Sequence, residues 1–295
     1  MASIKKRKVG NKHYFYLEHS FKLNGKAKVL SRYLGSKIPG NMEELKEVIE
    51  FEALRKALIG KLLKIKKNYS KSLHKYPPAE KKKFLEEFII HFVYDSSKIE
   101  GSSLTYKDTM GLFIHGVTPK NKPIKDVRES EGYRKAFYSM VKYKGELNLE
   151  KMKEWHKMIF EDSTPYIAGK IRLHKIIVTG SRVSFPHPEH MHSLLKEFFR
   201  WYANNKNKCN PVELAALAHL KFVTIHPFSD GNGRISRLLA NFVLRRLGYP
   251  LFNIKFGDRM SYYKSLETSQ LWDNDKHFVR FFMKKYITSH EKYLH

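Results

Sequence analysis

The sequence predicts a mainly α-helical protein with a small N-terminal β-hairpin element, and three observations carry that prediction. From residue 41 onward apolar residues recur at helical spacing through most of the chain. Between residues 13 and 34, aromatic and β-branched residues flank Asn24-Gly25, the strongest short hairpin signal. The one later interruption is 175 to 188, "KIIVTGSRVSFPHP", where β-branched residues around Gly180-Ser181 predict a short extended arm or hairpin. With 295 residues, 42% hydrophobic and 14% aromatic, the chain can bury a core in one large domain or two smaller ones.

Taken in order, the hairpin is followed by Asn41, with Glu44 three residues on in capping-box position. Leu45, Val48, Ile49, Leu54, Leu58, Leu62 and Ile65 then continue at helical spacing to about Ser72, as one long helix or two. Pro77-Pro78 breaks the chain, and Pro78 suits the first turn of a new helix. That helix runs through "FLEEFIIHFVYDSSKIE" and ends at Gly101, which can take a left-handed conformation. Thr105, with Asp108 three residues later, caps the next. Further helices are expected near 126 to 143, 149 to 162, 189 to 205, 211 to 225, 234 to 248, 259 to 272 and 276 to 290. The double proline divides an N-terminal region, 1 to 76 (β-hairpin then helix), from 77 to 295.

The formal charge is +27. Lysine-rich runs at 5 to 8, 64 to 67 and 81 to 83 are spread over several segments rather than along one stripe. Such a field attracts nucleic acid, anionic lipid, nucleotides and acidic proteins without choosing among them, and no RNA-binding, zinc-finger or zipper signature accompanies it. A single cysteine, Cys209, excludes an internal disulfide framework and a thiolate metal cage. No apolar run has signal-peptide or membrane-spanning length, so a soluble cytoplasmic protein without a membrane partner is expected. The histidines of "HPEHMH", 187 to 192, suit a solvated helix start better than structural zinc.

The chemistry concentrates in "HPFSDGNGRISR", 226 to 237. Two apolar helical patterns flank it, so Gly231, Asn232 and Gly233 open the second helix. There unpaired backbone N–H groups and a positive dipole end can cradle an anion. Arg234 and Arg237 are three apart on that helix and offer planar, permanently charged donors to phosphate. Asp230 supplies a hard oxygen of the kind magnesium accepts, and His226 can take a proton near neutral pH. A base, a metal ligand and an anion cradle are the parts needed to transfer a phosphorus centre to a hydroxyl.

This stretch resembles the motif of the Fic (Fido) family, HxFx(D/E)GNGRxxR, through His226, Phe228, Asp230, Gly231, Asn232, Gly233, Arg234 and Arg237. The resemblance implies a Fic-fold helical bundle with a short β-hairpin flap. It implies transfer of AMP from ATP, with Mg2+, to a Ser, Thr or Tyr hydroxyl of a protein, the chain itself included. His226 would be the catalytic base, Asp230 the metal ligand, and Phe228 a packing residue beneath the loop. Relatives that move a terminal phosphate carry lysine in place of Gly233, so the glycine argues for AMP transfer. The flap falls on 176 to 186 and nominates Thr179, Gly180, Ser181 and Arg182; "RMSYYKSLETSQLW" resembles the helix beside the adenosine and nominates Tyr263 and Gln270.

"SSKIEG", 96 to 101, resembles the family's inhibitory pattern (S/T)xxxE(G/N) through Ser96, Glu100 and Gly101, which makes 78 to 101 the inhibitory helix of a Fic domain spanning 77 to 295. A glutamate in the last turn of a helix opposes its dipole by about 0.5 kcal/mol, so a partner is expected; the resemblance supplies Arg237. The same site could also remove AMP, other diphosphate donors remain open, and a homo-oligomer is compatible with the family. The alternative function is a nucleic-acid-binding or scaffolding protein that uses its basic surface and keeps a residual Fic site.

Overall fold

The computed structural model describes residues 2–23, 25–177 and 180–295. Helices dominate it, and the chain divides into two compact units, Met1–Asn68 with His290–His295, and Tyr69–Ser289. Among the described residues no helix is long and apolar enough to cross a membrane.

The first unit opens with a three-stranded antiparallel sheet: β1 (Ser3–Val9), β2 (Lys12–Leu23) and β3 (Lys26–Gly35), in that order. The expected hairpin is thus β2–β3, with Asn24 itself outside the described residues, and β1 is a third strand that the sequence did not announce. Its seven residues, "SIKKRKV", are all exposed, so no buried alternation marks it. Register places Ile4 beside Leu17 and Leu17 beside Arg32. Leu17 packs with Ala2 and Ile49, joined by Leu30, Leu34, Met42 and Leu45. Ile49 belongs to α1 (Met42–Lys75), a single helix of 34 residues rather than two. At its start the Asn41 side-chain amide donates to Glu44 Oε2 at 3.2 Å.

In the second unit α2 (Pro78–Ile99) starts after Pro77 with proline in its first turn, and Gly101 follows its end at φ 95°. α3 (Tyr106–His115) opens with a complete capping box between Thr105 and Asp108. Then come α4 (Ile124–Lys142), α5 (Leu149–Phe160), α6 (Met191–Asn205), α7 (Pro211–Ile225), α8 (Asn232–Arg246), α9 (Arg259–Leu271) and α10 (Lys276–Ser289). α7 and α8 pack on each other at the centre, and α7 is apolar nearly all round, as a helix enclosed by others must be. α5 and α4 cover α8, while α10 packs on α7 and α9.

Between α5 and α6 the stretch 175 to 187 carries no strand among its described residues, and 178 and 179 lie outside them. A lone antiparallel bridge, Ile171 with Phe228, ties its base to the loop between α7 and α8.

Candidate active site

The loop 226 to 231 joins the two central helices, and its conformation follows from its residues. Pro227 stops α7, and His226 caps it in the left-handed region at φ 54°, ψ 58°, one of three described non-glycine residues there. Gly231 takes φ 76°, and a β-carbon at that position would run into the Phe160 ring. The Asn232 side chain closes the loop: its Oδ1 accepts from Phe228 N–H at 2.9 Å, and its Nδ2 donates to Phe228 O at 2.7 Å. Phe228 is fully buried, stacked on His156 with ring centroids 3.9 Å apart.

Two buried side chains hold this loop without having stood out in the sequence. His156 accepts from Gly169 N–H at Nδ1 (2.9 Å), so its hydrogen sits on Nε2 and is donated to Asp230 O at 3.0 Å. Burial holds that ring down to about 4, so it stays neutral. Arg172, 2% exposed, donates to three carbonyls: His226 O at 2.7 Å, His174 O at 2.8 Å and Pro186 O at 2.6 Å. It binds the His226 backbone to the chain at both ends of the arm, through His174 and Pro186.

The His226 ring is fixed in a useful tautomer. Nδ1 lies 3.0 Å from Val223 O, and a carbonyl can only accept, so Nδ1 carries the hydrogen and Nε2 keeps its lone pair. Burial, opposed by that bond, lowers the ring to about 4. At neutral pH His226 is therefore an uncharged base. Phe185 packs beside it at 4.1 Å between ring centroids.

Across the loop, α8 begins with no intrahelical acceptor for the N–H groups of Asn232, Gly233 and Arg234; the ladder starts with Ile235 N–H to Gly231 O at 2.9 Å. The seat above them is shaped by a carboxylate. Glu100, at the end of α2, stands against Gly233, where an added β-carbon would run into its Oε1. The same Oε1 accepts from Arg237 Nη2 at 2.6 Å. Arg237, 2% exposed, also donates from Nε to Ser96 Oγ (2.6 Å), from Nη2 to Ser96 O (3.0 Å) and from Nη1 to Tyr262 OH (3.2 Å). Ser96 Oγ in turn meets Tyr133 OH at 3.0 Å, and Tyr133 donates to Arg234 O at 2.7 Å. Ser96 and Glu100 are thus brought to Arg237 by the end of one helix, and Gly101 follows it at φ 95° without a contact to Arg237 among those described.

Other nominated residues are placed differently. The Arg234 guanidinium is buried, ion-paired to Glu129 on α4, within 3.4 Å of Asp230 Oδ1 and over the Phe160 ring. The Asp230 side chain is 47% exposed, and its Oδ1 accepts from Gly231 N–H at 2.5 Å. Tyr263 donates to Ile99 O at 2.9 Å, holding the end of α2, and Gln270 donates to Thr224 Oγ1 at 3.1 Å. On the arm, Arg182 makes a two-pronged pair with Glu267 of α9, at 3.2 and 3.3 Å. Ser181 Oγ accepts from Val183 N–H, and Gly180 is exposed at φ 82°; Thr179 lies outside the described residues. Tyr262, next to the nominated Tyr263, is the side chain that reaches Arg237, and it also meets His219 Nε2 at 3.1 Å.

Comparison with known proteins decides the family. Residues 146–244 match the Fic/DOC family. A Fic domain containing signaling protein from Bacteroides thetaiotaomicron superposes with a TM-score of 0.70 at 30% identity, over 78% of this chain and 95% of that one. The chain belongs to the Fic/DOC family. Fic-1 from Caenorhabditis elegans superposes on this Fic chain with a TM-score of 0.75 at 26% identity, covering 86% of it and 77% of that structure. Among curated relatives, protein adenylyltransferase fic-1 of C. elegans is 30% identical over 219 residues, 72% of this chain and 42% of the relative. Protein adenylyltransferase Fic of Drosophila grimshawi is 33% identical over 220 residues, 73% and 45% respectively. This Fic chain therefore spans about half the length of the curated relatives it matches.

Proposed function

We propose that the chain transfers AMP from ATP to a Ser, Thr or Tyr hydroxyl of a protein, itself included, and that Glu100 restrains this reaction by occupying Arg237. The observation that carries the reading is a neutral His226, with its lone pair on Nε2, on the loop that leads into the glycine-lined mouth of α8. The relatives named protein adenylyltransferase support the donor and the group transferred.

The target oxygen attacks the α-phosphorus of ATP, its proton passes to His226 Nε2, and the bond from the α-phosphorus to the bridging oxygen breaks to release pyrophosphate. The N–H groups at the start of α8 and the Arg237 guanidinium are the donors available to the phosphates. Asp230 offers a half-exposed carboxylate beside that mouth, a hard oxygen that fits Mg2+ held together with water and phosphate oxygens. When bound there, the ion would offset phosphate charge. With Glu100 on Arg237, that guanidinium cannot serve the γ-phosphate. A carboxylate and a phosphate cannot share one seat.

The test is intact mass after incubation with Mg-ATP. Glu100→Gly should gain one adenylate unit or label added protein, while the parent labels slowly and the double variant with His226→Ala not at all. Equal labelling with and without His226 would remove the base from the mechanism. Removal of AMP by the same site is a second reading, supported by the 25% exposure Glu100 keeps, which lets its carboxylate position water; the parent chain, rather than Glu100→Gly, would then strip a modified target.

A further inference from the structure

The N-terminal sheet has two faces, and only one is covered. Cross-strand partners share a face, so the register that turns Leu17 inward toward Ile49 turns Lys5, Tyr16 and Tyr33 outward in one row, Arg7 with Tyr14 in the next, and Val9 with Lys12 beyond. Lys22 lies on the same face at the far end of β2. Residues 3 to 35 contain nine Lys and Arg against one acid, Glu18. That one acid is already taken by Arg7 and by Ser31 Oγ at 3.3 Å. The outward lysines Lys5, Lys12 and Lys22 are all exposed. In the folded chain the scattered basic runs therefore do not all stay scattered: the first becomes one strand of a sheet whose neighbours add lysines to the same surface.

We propose that this outer face is a docking surface for double-stranded DNA, separate from the nucleotide seat in the other unit and independent of whether that seat transfers AMP. Ten residues separate Lys12 from Lys22 along β2, a span of about 33 Å at the usual rise of a strand. That is close to one turn of B-form duplex, roughly 34 Å, so cations at the two ends of the sheet can meet phosphates across one turn. The aromatic residues argue for duplex over single strand. Open ring faces in succession are what stack the bases of a single strand, but Tyr14 and Tyr16 are half-buried against Tyr33, at 5.9 and 5.4 Å, and Arg7 covers Tyr16 at 4.6 Å, which leaves Tyr33, 57% exposed, as a single open ring. These rings stiffen the surface and leave the lysines to face the backbone charge of the partner.

The experiment titrates the full chain into a fluorescent 20-base-pair duplex at several salt concentrations. It compares the parent with K5A/K12A/K22A and with K81A/K82A/K83A, which removes equal charge from an exposed stretch of α2. Each phosphate contact contributes about 0.9 to the slope of log affinity against log salt. The sheet variant should lose at least tenfold in affinity at roughly 0.1 M salt and about 3 in slope, while the α2 variant stays within about twofold of the parent. Circular dichroism should superpose for all three, since every substituted side chain is exposed. Equal losses in the two variants, no retention of duplex by the parent, or tighter binding of a single strand of the same sequence would each overturn the proposal.

Discussion

Glu100→Gly tests the anion seat through stability, with no need of a target protein. Truncating one partner of a buried ion pair costs about 3–5 kcal/mol, because the other charge is left uncompensated. Two observations lower that figure here. Glu100 is 25% exposed, so water reaches it in the parent, and Arg237 keeps Ser96 Oγ, Ser96 O and Tyr262 OH when the carboxylate leaves. The expected loss is about 2 kcal/mol, or a melting temperature roughly 4–8 °C lower for a unit of this size. Mg-ATP should reverse it. At a hundred times its Kd a ligand adds about 2.7 kcal/mol, enough to return the variant to the parent's melting point. On the proposed reading the nucleotide has to displace Glu100 in the parent first and should raise its melting point less. The assay is a thermal melt of both proteins with and without Mg-ATP. A variant melting within about 1 °C of the parent, or equal ATP shifts in the two, would refute the reasoning.

Four further outcomes are expected. Gly233→Ala pushes Glu100 off Arg237 yet fills the seat itself, so it should melt lower than the parent without the gain in labelling that Glu100→Gly shows. His226 and His156 are held to about 4 in the fold by burial, while the unfolded chain titrates near 6.5. The unfolded state thus binds more protons below that point. Stability should be complete above pH 6.5 and fall toward pH 4 by up to about 1.4 kcal/mol per pH unit for each ring, read as urea midpoints. For the same reason, labelling by Glu100→Gly should persist down to about pH 5 as far as the base is concerned; a fall centred near 6.5 would mean that His226 is not the base or is solvated. Tyr262→Phe deletes the hydroxyl shared by Arg237 and His219, leaving buried polar atoms without it. It should cost about 1–3 kcal/mol in chemical denaturation and, in the Glu100→Gly background, slow labelling.

Local chemistry made much of this legible in the sequence. The Thr105–Asp108 capping box, the proline that opens α2 and the glycine that follows it are decided within a few residues. So is the glycine-lined start of α8, because each of its special conformations is local. What the sequence hid was long-range. Glu129 reaches Arg234 across 105 residues, and Tyr133 reaches its carbonyl across 101; nothing near either residue marks it. Arg172 reads as one more cation in a basic chain, yet it is the one that ties the His226 carbonyl to the arm. Tyr262 was hidden by phase. Tyr262, Leu266 and Ser269 form the buried stripe of α9, whereas the nominated Tyr263 and Gln270 lie on the adjacent one, with Glu267 between them. That adjacent stripe clasps three separate segments: the end of α2 through Ile99, the arm through Arg182, and the last turn of α7 through Thr224.

That clasp bears on how the seat could be emptied. Glu100 does not sit on a free loop; its backbone is held on one side by the α2 ladder, through Ser97 O at 3.1 Å, and its neighbour Ile99 is held on the other by Tyr263. Rotating the carboxylate away from Arg237 by side-chain torsions alone breaks that one pair, at about the 2 kcal/mol expected for its removal, and an entering phosphate would replace it. Withdrawing the helix end would instead break the Tyr263 bond and the Ser96 contacts to Arg237 together, leaving the buried Arg237 donors unpaired at about 1–3 kcal/mol each. On the proposed reading, entry of a triphosphate should therefore swing the Glu100 side chain while α2 stays docked. Tyr263→Phe separates the two routes: it loosens the helix end but leaves the carboxylate's own torsions untouched. If side-chain rotation is the route, Tyr263→Phe should label no faster than the parent and Glu100→Gly should remain far ahead of it. Labelling by Tyr263→Phe that approaches Glu100→Gly would place the release in the helix end instead.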